Sequence, residues 1–167
     1  MDILKVVRVC LIFLNLLLVS LTCGATSGNL RPLHAGSFEQ IPPTRTEQPF
    51  MLVLWSIDCA PCRHELELLS EVRRDGLRLP LVLIATDPWD DGEVVTEVLT
   101  EYGLQGAENW VFADSNHARL RFEIDSTWYG ELPRSYFYDA NHARTAFSGR
   151  LTRDVIENWT ATHASAQ

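Results

Sequence analysis

The sequence predicts an α/β fold with a mixed sheet, and two observations lead to this prediction. Apolar runs of strand length alternate along the chain with stretches whose apolar residues recur at helical spacing. Such an alternation calls for parallel strands joined by right-handed crossovers. Near the end of the chain, two short strand-like runs follow each other across a turn, which predicts an antiparallel hairpin.

The first strand and helix of the domain are predicted from one stretch. The apolar run from Phe50 to Trp55 is typical of a buried strand, and an amphipathic helix follows it until Gly76. In that helix the apolar positions are Cys62, Leu66, Leu69 and Val72, and charged residues stand between them at Arg63, Glu65, Glu67 and Glu71. We therefore expect one buried face and one solvated face.

Seven further elements complete the predicted order. After the first helix we expect a strand over 79–86, a helix over 93–102, a strand over 109–113, a helix capped by Asp114 or Ser115 that reaches about Phe122, the hairpin strands 134–139 and 143–148, and a last helix capped by Thr152.

Two cysteines, Cys59 and Cys62, lie at the junction between the predicted first strand and the helix that follows it. Unpaired backbone N–H groups and the helix dipole favour an anion there, so the thiol pKa of Cys59 is expected to fall. Pro61 suits the first helical turn. We predict that Cys59 attacks and that the more buried Cys62 resolves the mixed disulfide. A structural disulfide and half of a zinc site are the alternatives.

Size, charge and cysteine content narrow the class of protein. The chain has 167 residues, 46% of them hydrophobic, which favours one domain with a substantial core. Of its four cysteines, Cys10 and Cys23 lie in an N-terminal apolar segment, so Cys59 and Cys62 have only each other as partners. The net charge is −8, and −9 without residues 1–23, which argues against nucleic-acid binding.

The N-terminal residues 1–25 are predicted to be a signal peptide or a membrane anchor. Lys5 and Arg8 precede an apolar run from Cys10 to Leu21, as in export signals, and the run is short for a spanning helix. Cleavage near Ala25, retention as an anchor and lipidation of Cys23 all stay open. Residues 26–48 are predicted to be a linker and residues 49–163 the folded domain, placed in the periplasm or on the extracytoplasmic face of the membrane.

The segment WSIDCAPCRHEL resembles the active site of thioredoxin-like proteins, and most of all the extracytoplasmic thiol-disulfide reductases of the TlpA/ResA type. The resemblance covers roughly Pro49 to Trp159, and it further suggests one short strand in the linker, near Leu33 to Phe38. It implies a thioredoxin-like fold, with a central mixed sheet and helices on both faces. It also implies that Pro133 is a cis-proline opposite the cysteines and that the backbone of Leu132 pairs with an extended client. Trp55 and Pro61 complete the expected client-binding residues.

Two positions depart from the pattern of this family. Val53 stands where thioredoxins carry a buried acid two residues before the tryptophan. Asp58 stands where a tryptophan often precedes the first cysteine, and its charge is expected to raise the thiol pKa of Cys59. Glu131, Asp87 and Asp58 are the candidates for the missing proton relay.

The function implied by the resemblance is that of an exported protein thiol-disulfide oxidoreductase. It is expected to reduce disulfides of client proteins, among them the haem-binding cysteines of a cytochrome c apoprotein, with electrons from a membrane donor. No cofactor, bound metal or nucleic acid is implied, and we expect a monomer. The alternatives are a carrier of copper or zinc that uses Cys59, Cys62 and a histidine, and a thiol peroxidase.

Overall fold

A computed structural model describes residues 30–41 and 48–163. The predicted export segment, with Cys10 and Cys23, lies outside these residues, as does most of the predicted linker. Among the helices in the described ranges, none has the length and apolarity needed to cross a bilayer.

Strands and helices alternate through most of the described ranges, as predicted. The strands are β1 (Leu30–Leu33), β2 (Phe50–Trp55), β3 (Leu81–Pro88), β4 (Glu108–Phe112), β5 (Arg134–Tyr138) and β6 (Arg144–Ser148). The helices are α1 (Ala60–Arg74), α2 (Gly92–Glu101), α3 (His117–Ile124) and α4 (Arg153–His163). Short 3₁₀ turns occur at Phe38–Gln40 and Trp89–Asp91.

The strands form one mixed sheet in the order β1-β4-β3-β2-β5-β6. Strands β1, β4, β3 and β2 run parallel to one another, whereas β5 is antiparallel to both β2 and β6. The predicted parallel pairing and terminal hairpin are therefore confirmed. The predicted position of the linker strand is wrong, because the strand starts at Leu30, where it pairs with Asn109 of β4, and residues 38–40 form a 3₁₀ turn.

Helices cover both faces of the sheet, and β2 is buried from both sides. Every residue of β2 is at most 1% exposed. Alternate residues such as Val53 face the cluster under α1, α2 and α4, while Leu52 and its alternates face the cluster under α3. This alternation follows from the two-residue period of a strand, and it confirms the predicted layers.

Helix α1 has the predicted apolar face. Cys62, Leu66, Leu69 and Val72 are all buried. The helix ends as expected at Gly76, whose φ of 96° places it in the left-handed region that favours glycine. The backbone N–H of Leu77 then donates to the carbonyl of Val72 at 3.0 Å.

The predicted cap of the third helix is wrong. Asn116 caps α3, and its side-chain oxygen accepts from the backbone N–H of Arg119 at 3.0 Å. Asp114, a predicted cap, is occupied elsewhere. Its carboxylate lies 2.8 Å from Nδ1 of His34 and accepts from the backbone N–H of Ala35 at 2.6 Å. These contacts fasten the residues after β1 to the residues after β4.

The topology brings the candidate site residues to one edge of the sheet. The carboxyl ends of β2 and β3 lie side by side, because the two strands are parallel. The amino end of β5 reaches the same edge, because Arg134 pairs with Leu54 across the antiparallel ladder. The segments with Cys59, Asp87 and Pro133 therefore meet at this edge.

Candidate active site

Cys59 and Cys62 form a disulfide at the start of α1. Their sulfurs are bonded and their Cα atoms are 5.2 Å apart. Cys59 is the N-cap residue, and its sulfur accepts from the backbone N–H of Cys62 at 3.2 Å. Cys59 is partly exposed, whereas Cys62 is fully buried. The pair thus has one accessible sulfur and one sulfur within the core.

The environment of the Cys59 sulfur suits a thiolate. Once the disulfide is reduced, the N–H of Cys62 and the positive end of the helix dipole both point to the place where the negative charge develops. Pro61 lies in the first turn, where its missing N–H leaves no intrahelical hydrogen bond unmade, and its side chain is exposed. The predicted geometry of the pair is present in the structure.

Asp87 fixes the loop that leads to the cysteines. It follows β3, and its carboxylate accepts from the Ser56 hydroxyl at 2.8 Å and from the backbone N–H of Ile57 at 3.1 Å. Burial raises the pKa of Asp87, although the hydrogen bonds from Ser56 and Ile57 oppose the shift. The described contacts of this predicted proton relay are with the loop, so its observed role is to position the residues before Cys59.

A buried acid that the sequence pattern missed lies in α1. Glu65 is only 2% exposed, one helical turn after Cys62 on the buried face. Its carboxylate accepts from the Ser135 hydroxyl at 2.6 Å and from the backbone N–H of Leu151 at 3.1 Å. Burial raises the pKa of Glu65, and the two hydrogen bonds only partly offset this effect. A buried acid is therefore present in helix α1, although none stands at Val53.

The helical spacing predicts Glu65 on the solvated face of the helix together with Glu67, and for Glu65 this prediction is wrong. The error is understandable, because position 65 directly precedes the apolar Leu66 and borders the buried face. The two groups that donate hydrogen bonds to its carboxylate, the Ser135 hydroxyl and the Leu151 backbone N–H, lie 70 and 86 residues further along the chain. No local pattern could have indicated them.

The loop before β5 presents Pro133 at the same edge. The Leu132–Pro133 peptide bond is cis, as the resemblance implied. Pro133 is buried and Leu132 half-buried, and the N–H of Gly149 donates to the carbonyl of Pro133 at 3.0 Å. Within the described ranges, the backbone N–H and C=O of Leu132 form no hydrogen bond, so they are available to a partner strand.

Three other predicted site residues occupy different surroundings. Trp55 was expected among the client-binding residues, but it is 1% exposed and packs in the core, so it does not offer a contact surface. Glu131 accepts from the Ser148 hydroxyl at 3.0 Å and lies 3.4 Å from an Arg134 nitrogen. Asp58 is exposed immediately before Cys59.

Comparison with known proteins gives matches among solved structures. A secreted Mycobacterium tuberculosis disulfide oxidoreductase homologous to E. coli DsbE is 22% identical, with a TM-score of 0.56 over 72% of this chain and 85% of that one. A DsbF homologue from Corynebacterium diphtheriae is 20% identical, with a TM-score of 0.55 over 71% and 74%. StoA from Bacillus subtilis is 17% identical, with a TM-score of 0.51 over 69% and 84%.

The chain has a thioredoxin-like fold. The structural matches include a protein described as a thioredoxin-like protein in the oxidised form, at 20% identity and a TM-score of 0.56. They confirm the predicted resemblance at the level of the fold. No family model matches the sequence, and no curated protein matches it.

A buried ionic cluster supports the cis-proline loop of this thioredoxin-like fold. Asp125 is 5% exposed and accepts from the Tyr136 hydroxyl at 2.9 Å and from an Arg134 nitrogen at 3.0 Å. Burial alone would raise the pKa of Asp125, but hydrogen bonds from Thr127, Tyr136 and Arg134 hold it well below its usual value. Because Arg134 directly follows Pro133, the cluster anchors the loop from within.

Two exposed aromatic side chains lie in the loops that reach the cysteine edge. Trp89, two residues after Asp87, is 46% exposed, and Tyr129, in the loop before Pro133, is 94% exposed. Large exposed aromatic residues are enriched where proteins bind other proteins. Neither was predicted, because Trp89 lies in a turn-rich segment and Tyr129 between predicted elements.

The alternative function, a carrier of copper or zinc, requires metal-binding side chains that lie close together. Over the ranges 30–41 and 48–163, no three side chains of histidine, cysteine, aspartate or glutamate lie close enough together to hold a metal ion. His64 is exposed on α1, two residues after Cys62. No observation of the described residues favours a carrier over thiol chemistry.

The raised pKa of Glu65 predicts a pH-dependent stability of the oxidised protein. Its proton is held more tightly in the folded state, so this contribution is complete below the unfolded pKa of about 4.3 and is lost as pH rises through the folded pKa, by at most about 1.4 kcal/mol per pH unit. Glu65→Gln should remove this part of the decline, and Asp87, whose pKa is also raised by burial, should leave a remaining decline of the same sign.

The measurement is the free energy of unfolding in denaturant at a series of pH values from 4 upward. Glu67→Gln, an exposed neighbour on the same helix, is the matched control and should keep the wild-type profile. Identical profiles for Glu65→Gln and the wild type would show that Glu65 does not hold its proton in the folded state.

Asp125→Asn should destabilise the protein at neutral pH. The change leaves the Arg134 charge without its buried partner, which costs roughly 3 kcal/mol, the low end for such a loss, because Glu131 stays within reach. As pH falls below about 4, the wild type loses the contribution of the ionised Asp125 and the difference should shrink. Denaturant unfolding measures both effects, and exposed Asp90→Asn should change the stability by less than about 0.5 kcal/mol.

Proposed function

We propose that this chain is a protein thiol-disulfide oxidoreductase that cycles between the Cys59–Cys62 disulfide and a dithiol. The observation that carries the proposal is the asymmetry of the pair: the accessible sulfur of Cys59 receives the N–H of Cys62 at a helix N-terminus, while Cys62 is fully buried. The disulfide oxidoreductase from Mycobacterium tuberculosis and its relatives with the same fold support the assignment.

The exchange transfers two electrons from the dithiol to a client disulfide. The Cys59 thiolate attacks one client sulfur, a mixed disulfide forms, and the other client sulfur leaves as a thiolate that takes a proton. Cys62 then loses its proton and attacks the Cys59 sulfur. The second client thiolate departs and is protonated, and the Cys59–Cys62 disulfide is restored.

We assign Glu65 as the group that accepts the proton of Cys62. It lies one turn along the same buried face, where a carboxylate is less well solvated than in water and so accepts a proton more readily. The Ser135 hydroxyl and the Leu151 N–H hold the carboxyl group in place. Asp58, by contrast, is exposed to solvent on the outer side of the pair.

The client is an extended segment of another protein. The backbone groups of Leu132 are free to form strand-like hydrogen bonds at the edge of the sheet where Cys59 lies. Exposed Pro61, Trp89 and Tyr129 add apolar surface around the same edge. These features suit a polypeptide better than a small peroxide.

The direction that we propose is reduction of the client. Asp58 places a negative charge beside Cys59, and this charge disfavours the thiolate and with it the dithiol form. A less stabilised dithiol gives electrons away more readily, since a strong oxidant such as DsbA owes its potential to a stabilised reduced form.

The cellular setting that we propose follows from the N-terminal segment and from the resemblance. The chain is exported, acts as a monomer on the extracytoplasmic side of a membrane and receives electrons from a membrane protein. Its client class is the apoprotein of a c-type cytochrome, whose two haem-binding cysteines must be reduced before haem attachment. No dissociable cofactor takes part.

Cysteine variants test the assigned roles. Cys59→Ser should abolish the acceleration of insulin reduction by dithiothreitol that the wild type gives, whereas Cys62→Ser should still attack and should accumulate a mixed disulfide with the client. In the reduced wild type, iodoacetamide should modify Cys59 before the buried Cys62. Full activity of Cys59→Ser would contradict the mechanism.

The reduction potential of the pair tests the direction. We expect a value near that of thioredoxin, about −270 mV, and a value above about −150 mV would overturn the reductant role. Asp58→Asn should lower the thiol pKa of Cys59 and move the potential toward oxidising values, on the order of 10 mV. Exposed Asp90→Asn is the control and should change neither quantity.

A further inference from the structure

One buried carboxylate holds both ends of the loop that leads to the cis-proline. Residues 126–133 connect α3 to β5, and we call them the 126–133 loop. At its start, Oδ1 of Asp125 accepts from the backbone N–H of Thr127 at 3.0 Å and from its hydroxyl at 2.7 Å. Beyond its end, Oδ2 of Asp125 accepts from Arg134 at 3.0 Å and from the Tyr136 hydroxyl at 2.9 Å. The two ends of the loop therefore have a common anchor.

A second set of contacts fixes the middle of the 126–133 loop. Trp128 is 5% exposed, and its ring N–H donates to the carbonyl of Glu131 at 2.8 Å. The backbone N–H of Trp128 donates to the carbonyl of Asp125 at 3.0 Å. The loop is therefore ordered by contacts within this protein, and it does not need a client to acquire its shape.

The ring of Tyr129 extends into solvent from this ordered loop. It is 94% exposed, although its neighbour Trp128 is buried. A backbone that is already ordered loses little further conformational entropy when a partner binds. Tyrosine is also among the residues that contribute most to the affinity of protein interfaces. Tyr129 therefore has the properties of a contact residue.

The position of Tyr129 along the loop suits a client held at Leu132. The two residues are three positions apart, so their Cα atoms are at most about 11 Å apart. A client strand that pairs with the backbone of Leu132 advances about 3.3 Å per residue. Client side chains within roughly three residues of the paired position therefore reach the ring, and an apolar side chain gains most from covering it.

We propose that the 126–133 loop is a preorganised binding arm for the client, and that it prefers a client with apolar residues beside the disulfide. Tyr129 is the contact residue of this arm. Asp125 is a positioning residue, which touches no client but holds the Tyr129 ring and the Leu132 backbone in the geometry that the client needs. This inference rests on the proposed thiol-disulfide exchange and adds the side-chain chemistry of its substrate.

Two peptides that differ only beside the disulfide test the preference. Both carry the same intramolecular disulfide, flanked on both sides by leucines in one peptide and by serines in the other. The reduced wild type should react faster with the leucine peptide, by roughly 5- to 10-fold in the second-order rate constant, since a contact residue at an interface typically contributes a factor of this order.

Variants of the loop test the two roles. Tyr129→Ala should lose most of the preference for the leucine peptide, whereas Tyr129→Phe, which keeps the ring, should retain it. Asp125→Asn should also lose the preference, measured at a temperature at which circular dichroism shows this variant to be folded. The Tyr129 variants change only an exposed side chain, so they decide the proposal even if Asp125→Asn does not fold.

Two matched variants serve as controls. Phe122→Ala removes another exposed aromatic ring, which lies on α3 and is 67% exposed. Asp139→Asn alters a carboxylate that fastens the turn at the other end of β5, where it accepts from the backbone N–H groups of Asn141 and Ala143 at 2.8 Å. Both controls should keep the wild-type preference.

The outcomes separate this inference from the proposed function. Equal rate constants for the two peptides in the wild type, or an undiminished preference in Tyr129→Ala, would overturn the binding arm and leave the thiol chemistry intact. A preference that falls as much in Asp139→Asn as in Asp125→Asn would overturn the positioning role of Asp125. Absence of any reaction with either peptide would contradict the exchange itself, and this inference with it.

Discussion

The burial of β2 on both faces is the constraint on which the rest of this structure depends. A strand with no solvated side chain must lie in the middle of a sheet with helices above and below it. Its carboxyl end then opens at an edge where β3 and β5 also arrive. Cys59 lies four residues beyond this strand, so its position follows from the position of the strand.

The two buried acids near this edge are accommodated in opposite ways. Asp125 is surrounded by donors that include the Arg134 guanidinium, so its charge is compensated and its pKa falls. Glu65 has a hydroxyl and one backbone N–H but no cation, so burial prevails and its pKa rises. The first arrangement stabilises a loop, while the second leaves a carboxyl group able to exchange a proton. The pKa of Asp87 is raised by burial, like that of Glu65. Its hydrogen bonds stabilise a loop, like those of Asp125.

Local patterns predicted the secondary structure because its causes are local. The apolar run of β2, the helical spacing of Cys62, Leu66 and Leu69, and Gly76 at a left-handed position all act within a few residues. The predictions that failed involve distant partners. Asp114 did not cap α3, since His34 and Ala35 had already engaged its carboxylate. The strand in the linker lies earlier in the chain than predicted, because its pairing with β4 sets its register.

The sequence by itself determined the α/β class and the position of the cysteine pair between a strand and a helix. These features depend on the period of the apolar residues, which is a local property of the chain. Only the tertiary structure decided that Glu65 is an interior acid and that Asp125 meets Arg134 and Tyr136 in a buried cluster. These features arise because residues that are far apart in the chain come into contact. The burial of each side chain and the compensation of its charge depend on those contacts.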